Sequence, residues 1–488
     1  MPELRILHNN KFSTVSAKVG ESLLDVLRAN NISIVAPCGG SGTCGKCTVI
    51  VNGVEVLACR TVIDGSFGDV TVPNDTKMEI LDVYTNFKPA QCDRAGTKYG
   101  IAIDIGTTTL AFELLDMQCG TSIATHSVIN NQRKYGADVM SRIKNCVEGN
   151  ATTLTKLVQQ DISDGVVHIL EVSGVRDISL VTIAGNTTML HILLNQPVNT
   201  LGVAPFTPVF IDKKVIPFAK LCPASTLDCD VIILPGISTF VGADITAGLI
   251  CAGWPNVSGN NLLIDLGTNG EMALFSQNKI NVTSTAAGPA FEGGNISMGM
   301  GSVSGAIAKV SYLPEDNVFS YTTINNAQPI GICGTGVVDI SAELVRHSLV
   351  DETGYIESDD DEINIAPGVT FSQKDIREIQ LAKSAVRAGI EILLDIANVA
   401  YADLDNVYIS GGFGHKIDLK NAVTLGLIPA ELESKIVPLG NSALGGAAKT
   451  LLSTICEAEC EKLAKIATEI NLATHPRFND LFMEYIAF

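Results

Sequence analysis

The sequence predicts a small α+β domain followed by a larger α/β domain made of two similar halves, and three observations support this arrangement. Four cysteines crowd into the 22 residues from Cys38 to Cys59, behind a strand–strand–helix pattern. An acidic strand–turn–strand motif at Asp104 recurs 161 residues later at Asp265. A later strand ends in a glycine turn at Gly411. We therefore expect a metal site in the first domain and a two-sided ligand site in the second.

The composition is that of a multidomain globular protein with an acidic surface. A chain of 488 residues is too long for one core and predicts about three domain-sized units. Hydrophobic residues make up 46% of it, enough for packed interiors. The net charge of −19 repels nucleic-acid phosphates and anionic lipids. Without a signal-like start or a run of about 18 apolar residues, we expect a cytoplasmic protein that binds neither nucleic acid nor membranes.

Changes in local pattern predict the domain boundaries. The expected units are a metal-binding domain at 1–84, a linker at 85–98, a first half at 99–255 and a second half at 256–488. The C-terminal helices are expected to pack back toward the first half. Cys92 lies in the polar linker and is expected to be an ordinary linker cysteine.

The first eighty residues read as strand, strand, helix, strand. Two amphipathic runs flank a turn at Asn9, and apolar residues at helical spacing follow between Leu23 and Leu27. A strand-like run is expected at 32–36, and one further strand is expected at 48–59, ending at Cys59.

The cysteine spacing C-x5-C-x2-C-x11-C predicts a [2Fe–2S] cluster bound by Cys38, Cys44, Cys47 and Cys59. Each tetrahedral iron of such a cluster takes two thiolates and two shared sulfides. The alternative, a zinc knuckle, usually shows two separated C-x2-C pairs. The pattern resembles ferredoxins of the plant and adrenodoxin type over residues 3–83, which implies a β-grasp-like domain that carries single electrons.

Two acidic turns in the larger domain suit phosphate and Mg²⁺. A carboxylate at a strand end can hold Mg²⁺ through water, while glycine and hydroxyl groups offer donors to phosphate oxygens. A buried aspartate that only caps a β-turn would look the same, but the repetition favours a ligand site. The residues expected to bind the ligand are Asp104, Gly106, Thr107, Thr108 and Thr109 in the first turn, and Asp265, Gly267, Thr268 and Asn269 in the second.

A third motif is the glycine turn with Gly411, Gly412 and Gly414, where a base and ribose could lie against exposed backbone. The chain has no Walker A loop where ATP chemistry would need one. The order and spacing of the three motifs resemble the actin, sugar kinase and Hsp70 superfamily, which implies an actin-like ATPase domain that binds ATP and Mg²⁺.

Hydrolysis of ATP also needs a carboxylate or amide that orients water. The candidates are Asp138, Asp244 and Glu271, with Glu292 as a fourth. A structural role for any one of them is equally compatible with the sequence.

The whole chain resembles the reductive activators of corrinoid enzymes, on the segments APCGGSGTCGKC, YGADVMSRI, AGPAFEGGNISMGM, GICGTGVVDI and ISGGFGHKIDL. The resemblance implies ATP-dependent, one-electron reduction of cob(II) to cob(I) on a corrinoid protein of a methyltransferase system, fed by an upstream electron donor. A homodimer is an open alternative to a monomer. The link between the cysteine-rich and ATPase regions is short, which leaves little room for a separate middle domain.

Three other functions remain open at this point. One is the activation of a different radical or dehydratase enzyme, which would use a four-iron cluster between subunits. Another is a redox sensor whose actin-like module binds a partner without turning over ATP. The third is a sugar-type kinase with an accessory ferredoxin.

The pair Cys456 and Cys460 has helical i, i+4 spacing and lacks a four-iron signature, which disfavours the subgroup of activators that carries C-terminal four-iron clusters.

Overall fold

A computed structural model describes most of the chain. The described residues are 2–9, 11–30, 32, 34, 36, 38, 40, 42, 46–64, 68–73, 92–94, 96–223, 225, 227–356, 361–411 and 417–488. They fall into two compact units. The first comprises Met1–Lys77, Ile129–Asp161 and His191–Val209, and the second comprises Met78–Val128, Ile162–Leu190 and Phe210–Phe488. The boundaries expected at 84, 98 and 255 stay predictions.

The N-terminal module is a small mixed sheet covered by a helix. Its elements are β1 (Glu3–His8), β2 (Lys11–Ser16), α1 (Leu23–Ala29), β3 (Thr48–Val51), β4 (Val54–Leu57) and β5 (Asp69–Thr71). The described strands lie in the order β2-β1-β5-β3-β4, with β1 parallel to β5 and the other pairs antiparallel. Leu4, Ile6, Leu23 and Leu27 are buried in its core.

Two predictions for this module differ from the structure. The single strand expected at 48–59 is a hairpin, β3–β4, that turns at Asn52 and Gly53, because Asn-Gly adopts the positive φ of tight hairpin turns. Cys59 consequently lies on a short 3₁₀ turn, Ala58–Arg60. Residues 32, 34 and 36 of the run expected to be a strand are described, and none of the three is in a strand.

The first half of the larger domain follows. Its elements are β6 (Tyr99–Ile105), β7 (Thr109–Asp116), β8 (Thr121–Ile129), α2 (Val139–Asn145), α3 (Ala151–Ser173), β9 (Leu180–Gly185), α4 (Thr187–Leu193), β10 (Lys214–Pro217), α5 (Phe218–Leu221), β11 (Asp230–Ile233) and α6 (Ala243–Cys251). The sheet order is β10-β11-β9-β6-β7-β8, with β9 parallel to β6 and β7 antiparallel to it.

The second half repeats this plan with insertions. Its elements are β12 (Asn260–Leu266), β13 (Gly270–Ser276), β14 (Lys279–Thr285), β15 (Ala306–Leu313), β16 (Val318–Thr323), β17 (Gly331–Ile332), α7 (Gly334–Arg346), β18 (Glu362–Ala366), β19 (Val369–Ser372), α8 (Gln373–Ala397), β20 (Leu404–Ser410), α9 (Leu419–Thr424), β21 (Ile436–Gly440), α10 (Ser442–Leu452), α11 (Thr454–Ile466), β22 (Ala467–Glu469) and α12 (Phe478–Glu484). The sheet order is β21-β20-β12-β13-β14-β22.

The two sheets therefore share a core of one antiparallel meander flanked by parallel strands. In the first sheet β6 pairs with β7 and with parallel β9, and in the second β12 pairs with β13 and with parallel β20. Each acidic turn joins the first two strands of its meander. Across the described ranges every helix is too short or too polar to span a bilayer.

Helix α10 packs against β6, β9 and α6, so a C-terminal helix covers the first sheet. Close approach of α10 and α6 depends on small residues. A Cβ atom at Gly446 would lie 1.8 Å from the carbonyl oxygen of Ala247, and one at Gly445 would lie 2.7 Å from Cys251 Sγ.

We expect Gly446→Ala to lower the free energy of unfolding by about 1–3 kcal/mol, because the backbone of α6 must move to admit one methyl group. The measurement is the thermal unfolding midpoint of the purified chain. Gly236→Ala is the matched control, since its added Cβ would sit at an ordinary 3.4 Å from Gly242 Cα. Equal midpoints for the two variants would contradict the packing argument.

Candidate functional site

The two acidic turns place their carboxylates near the end of a central strand in each of the two sheets. Asp104 lies near the end of β6, and Gly106 N donates to the Thr109 carbonyl at 2.9 Å to close the turn. A Cβ at Gly106 would lie 2.8 Å from that same carbonyl oxygen, so this position requires glycine. Asp265 holds the same place on β12, where Gly267 N donates to Asn269 O at 3.1 Å.

Asp104 is held by a residue from the other end of the larger domain. Asn441 Nδ2 donates to Asp104 Oδ2 at 2.8 Å, while Asn441 Oδ1 accepts from Leu444 N and caps α10. Burial raises the pKa of Asp104 to about 7; the Asn441 hydrogen bond opposes this, and the nearby charge of Asp265 adds to it. Without a bound cation, Asp104 is therefore partly protonated at neutral pH.

Asp265 is held by the strand beside it. Ser410, the register partner of Asp265 on β20, donates from Oγ to Asp265 Oδ2 at 2.6 Å. Burial raises the pKa of Asp265, against the effect of this hydrogen bond. Gly411 follows with φ +103, and a Cβ there would lie 2.2 Å from Leu266 O, so only glycine fits this close approach.

Three further carboxyl groups share the site. Asp244 lies in the first turn of α6, and Glu271 is the cross-strand partner of Asp265 on β13. Burial raises the pKa of Asp244 to about 7, and the charges of Asp265 and Asp104 act in the same direction. Burial, with the charges of Asp244 and Asp265, raises the pKa of Glu271 well above its ordinary value.

Glu292 connects the two turns directly. Its Oε2 accepts from Thr108 Oγ1 of the first turn at 2.8 Å and from Thr268 Oγ1 of the second at 3.2 Å. Burial raises the pKa of Glu292, and these two hydroxyl groups oppose that rise. One carboxyl group thus engages hydroxyls from both halves of the fold.

The first turn has a second support. Asn186 Nδ2 lies 3.3 Å from Thr107 Oγ1, and Asn186 Oδ1 accepts from Met189 N at the start of α4. Asn186, Ser410 and Asn441 were not predicted as site residues. The N-cap position of Asn441 is readable from sequence, whereas its contact with Asp104 depends on the tertiary fold.

Asp138 has a different setting from the other candidate carboxylates. It caps α2, where Oδ1 accepts from Ser141 N at 2.8 Å and Oδ2 accepts from Ser141 Oγ at 2.7 Å. It also belongs to the first compact unit, whereas Asp244, Glu271 and Glu292 belong to the second.

Three of the four candidate cluster cysteines are described. Cys47 is fully buried, and its Sγ accepts from Cys59 N at 3.5 Å. Cys38, Cys47 and Cys59 are all free thiols. Cys44, Gly412 and Gly414 lie outside the described residues, and among those that are described no group of three metal-ligating side chains forms a site.

One arginine binds the described part of the loop between Cys38 and Cys47, and a second lies close to it. Arg60 Nη2 donates to Gly42 O at 2.7 Å, and Arg28 Nη1 lies 3.8 Å from where a Gly40 Cβ would be. Cys92, in the expected linker, is half-buried and accepts from Arg94 N at 3.4 Å, so it makes local contacts.

Family models match most of the chain. Residues 6–70 match the 2Fe-2S iron-sulfur cluster binding domain, 99–255 the RACo middle region, and 259–488 the C-terminal domain of RACo, the ASKHA domain. The family's middle region therefore coincides with the sheet of β6 to β11 and does not form an additional domain before it.

The corrinoid activation enzyme RamQ of Eubacterium limosum is 34% identical over 419 residues, which are 79% of this chain and 69% of that protein. The chain belongs to this family of corrinoid activators. A second relative, the [Co(II) methylated amine-specific corrinoid protein] reductase of Methanosarcina barkeri, is 26% identical over 79% of this chain and 76% of its own. The resemblance inferred from the sequence motifs is confirmed.

A solved structure of a reductive activator for corrinoid, iron-sulfur protein has a TM-score of 0.72 and 26% identity. The match covers 100% of this chain and 98% of the chain of the solved structure. The predicted fold class, an α+β ferredoxin-type domain followed by an actin-like domain with two similar subdomains, is confirmed.

The raised pKa values of the buried carboxyl groups make the free energy of unfolding decrease as the pH rises, in the absence of cations. Asp104 has an ordinary pKa of 3.8 and a folded-state pKa of about 7, so between these values the folded protein retains a proton that the unfolded chain releases. We expect Asp104→Asn to raise the free energy of unfolding at pH 7.5 by on the order of 4 kcal/mol, because each unit of pKa difference corresponds to about 1.4 kcal/mol, with little gain near pH 4.

The measurement is the unfolding midpoint in chelator against pH. Asp316→Asn, in an exposed loop, is the charge-matched control. A gain that is equal at both pH values, or equal in the control, would contradict the assignment.

Proposed function

We propose that this protein uses ATP to drive the one-electron reduction of a corrinoid protein from the cob(II) to the cob(I) state, within a methyltransferase system. The main support for this proposal is that one chain joins a 2Fe-2S domain to an ASKHA domain that contains two acidic turns. Its relatives carry the names of a corrinoid activation enzyme and a corrinoid protein reductase, which supports the same substrate class here.

The cluster is proposed to be bound by Cys38, Cys44, Cys47 and Cys59. Cys47 is buried and accepts an N–H from Cys59, an environment that suits a sulfur ligand because N–H donors stabilise negative charge on sulfur. When bound, the cluster supplies a one-electron carrier. The chain's own contribution would be the four thiolates, and Arg60 contacts the loop between Cys38 and Cys47 through Gly42 O.

The nucleotide is proposed to lie against both turns. Asp104 and Asp265 would hold Mg²⁺ through water, and Mg²⁺ would neutralise charge on the phosphate oxygens. The donors to phosphate are proposed to be Gly106, Thr107, Thr108 and Thr109 on one side and Gly267, Thr268 and Asn269 on the other. Gly411, with Gly412 and Gly414, is proposed to border the base and ribose.

Phosphate oxygens would compete for the hydroxyl groups that Glu292 now engages. Thr108 and Thr268 both donate to this carboxyl group, so their hydrogen bonds to phosphate would release it. A nucleotide that changes hydrogen bonds to both halves would bind the arrangement with Glu292 released more tightly than the arrangement with Glu292 engaged. A conformational change driven by ATP requires such a difference in affinity.

Asp244 is the carboxylate that we propose orients the attacking water. Its pKa of about 7 suits a group that must be ionised yet basic at neutral pH, and it lies in a helix first turn beside the two phosphate turns. Burial and the charges of Asp244 and Asp265 raise the pKa of Glu271, which is proposed to support Asp265. Asp138 is proposed to cap α2 only.

An electron must enter from an upstream donor before each reduction. In the net reaction, one electron from that donor would reduce the cob(II) substrate to cob(I), while ATP and water yield ADP and phosphate. The cluster that Cys38, Cys44, Cys47 and Cys59 would hold supplies one-electron chemistry when bound. The location in the cytoplasm, the existence of an upstream electron donor and a homodimer stay predictions.

The test mixes the reduced chain, ATP and cob(II) corrinoid proteins anaerobically and follows the cob(I) absorbance. We expect Asp265→Asn to abolish both ATP hydrolysis and reduction, because the metal-holding carboxylate is lost. Cys47→Ser should retain hydrolysis and lose reduction. Hydrolysis by the native chain without cob(I) formation on any corrinoid protein would refute the proposed function.

We expect Asp244→Asn to lower kcat for ATP hydrolysis about 10²- to 10⁴-fold, the usual contribution of a general base. The KM for ATP should change less than about threefold, because Asp244 is not proposed to bind the nucleotide. Steady-state phosphate release measures both constants. Asp138→Asn, which retains an N-cap side chain, should stay within about twofold of the native kcat. The reverse ranking of the two variants would show that Asp138 orients the water.

A further inference from the structure

Arg28 is a nearly buried cation beside the candidate cluster loop. It lies in the last turn of α1, and its side chain is 9% exposed. The acidic partner within the helix, Asp25, is 70% exposed and lies 4.0 Å away, so this pair contributes little. A simple surface role at a helix C-terminus does not account for a guanidinium buried to this degree.

One side of Arg28 lies close to Gly40, on the loop between Cys38 and Cys47. Its Nη1 lies 3.8 Å from the position of a Gly40 Cβ. Burial lowers the pKa of Arg28, and the charges of Asp25, Tyr135, Cys47 and Cys38 act in the opposite direction. The guanidinium is thus within electrostatic reach of two proposed cluster ligands.

The other side of Arg28 contacts a turn that follows β8 in sequence and belongs to the same compact unit. Arg28 Nη2 donates to the carbonyl oxygen of Lys134, and its Cζ lies 5.0 Å from the centroid of the Tyr135 ring. A planar guanidinium can make both contacts at once, whereas an ammonium group cannot.

This turn, the 3₁₀ segment Asn131–Tyr135, is itself firmly held. Asn131 donates to Asp161 from its backbone N at 2.8 Å and from Nδ2 at 2.6 Å. Arg142, which is fully buried, donates to Gly136 O at 3.0 Å and to Gln132 Oε1 at 3.1 Å. The turn therefore offers Arg28 a rigid contact.

We propose that Arg28 is a positioning residue that holds the cysteine loop against the Asn131–Tyr135 turn and raises the reduction potential of the cluster. The inference rests on the proposed binding of that cluster by Cys38, Cys44, Cys47 and Cys59. An added electron makes the four-cysteine site more negative, and a fixed positive charge in a partly dry environment favours that state. Positioning the cysteine loop and raising the reduction potential of the cluster are separate properties of the same side chain.

Two substitutions separate these properties. Arg28→Gln removes the charge but keeps an N–H donor for the Lys134 carbonyl, and Arg28→Lys keeps the charge but removes the planar contact with Tyr135. Because Arg60 still holds Gly42 in both variants, the loop retains one anchor. Arg5→Leu removes the same charge from β1, where the side chain stacks over Phe12 at 4.2 Å, and is the matched control.

The experiment uses the full chain with its cluster. The reduction potential is measured by titration followed by electron paramagnetic resonance, and holding is measured by amide hydrogen exchange of residues 23–30 and 131–136. We expect Arg28→Gln to shift the reduced-to-oxidised ratio about tenfold toward the oxidised state, equivalent to about 59 mV. Arg28→Lys should keep the potential and raise exchange in both segments severalfold.

Tyr135→Leu provides a second variant that leaves the cysteine module untouched, and it should raise exchange in residues 23–30. A native reduction potential in Arg28→Gln, or an equal shift in Arg5→Leu, would refute the claim that Arg28 raises the potential. Native hydrogen exchange in both Arg28→Lys and Tyr135→Leu would refute the claim that Arg28 positions the cysteine loop. A native chain without a two-iron spectrum would instead refute the proposed cluster.

Discussion

The rest of the larger domain depends on five carboxyl groups that share one small volume. Asp104, Asp244, Asp265, Glu271 and Glu292 are brought there by strand ends, a helix first turn and a 3₁₀ turn from both halves of the fold. Buried carboxylates repel one another and lose hydration, so the group stays together only with hydrogen-bond donors, bound protons or a cation. This requirement makes the site sensitive to what binds there.

The duplicated sheet explains how so much acidity can be assembled. Each half contributes one strand–turn–strand unit whose carboxylate lies near the end of a central strand, and the donors come from long-range neighbours such as Asn441 and Ser410. Close packing supports this geometry, since the glycines of α10 let that helix approach α6 at backbone distance. The packing of α10 and the acidic site are thus linked, because the N-cap residue of α10, Asn441, donates to Asp104.

The cysteine module presents the opposite electrostatic situation. Its proposed cluster site gathers thiolates near Arg28 and Arg60, so cations lie where negative charge accumulates on reduction. Plant-type clusters have potentials of about −400 mV, and each further ~59 mV of one-electron demand costs about a factor of ten in the equilibrium. An ATP-using partner domain in the same chain is a physical means of meeting that demand on the acceptor.

The sequence alone determined the features that local backbone chemistry dictates. The cysteine spacing, the two glycine-containing acidic turns and the strands around them were readable because each is encoded within one short stretch of the chain. Asn52-Gly53 was equally local, and the hairpin there was missed because the strand pattern was read as continuous. Tertiary structure alone decided that Asn441 holds Asp104 across 337 residues, that Glu292 joins Thr108 to Thr268, and that Asp138 caps a helix in a different unit from Asp244. Such side-chain encounters depend on how distant elements pack, and no periodicity within one segment records that packing.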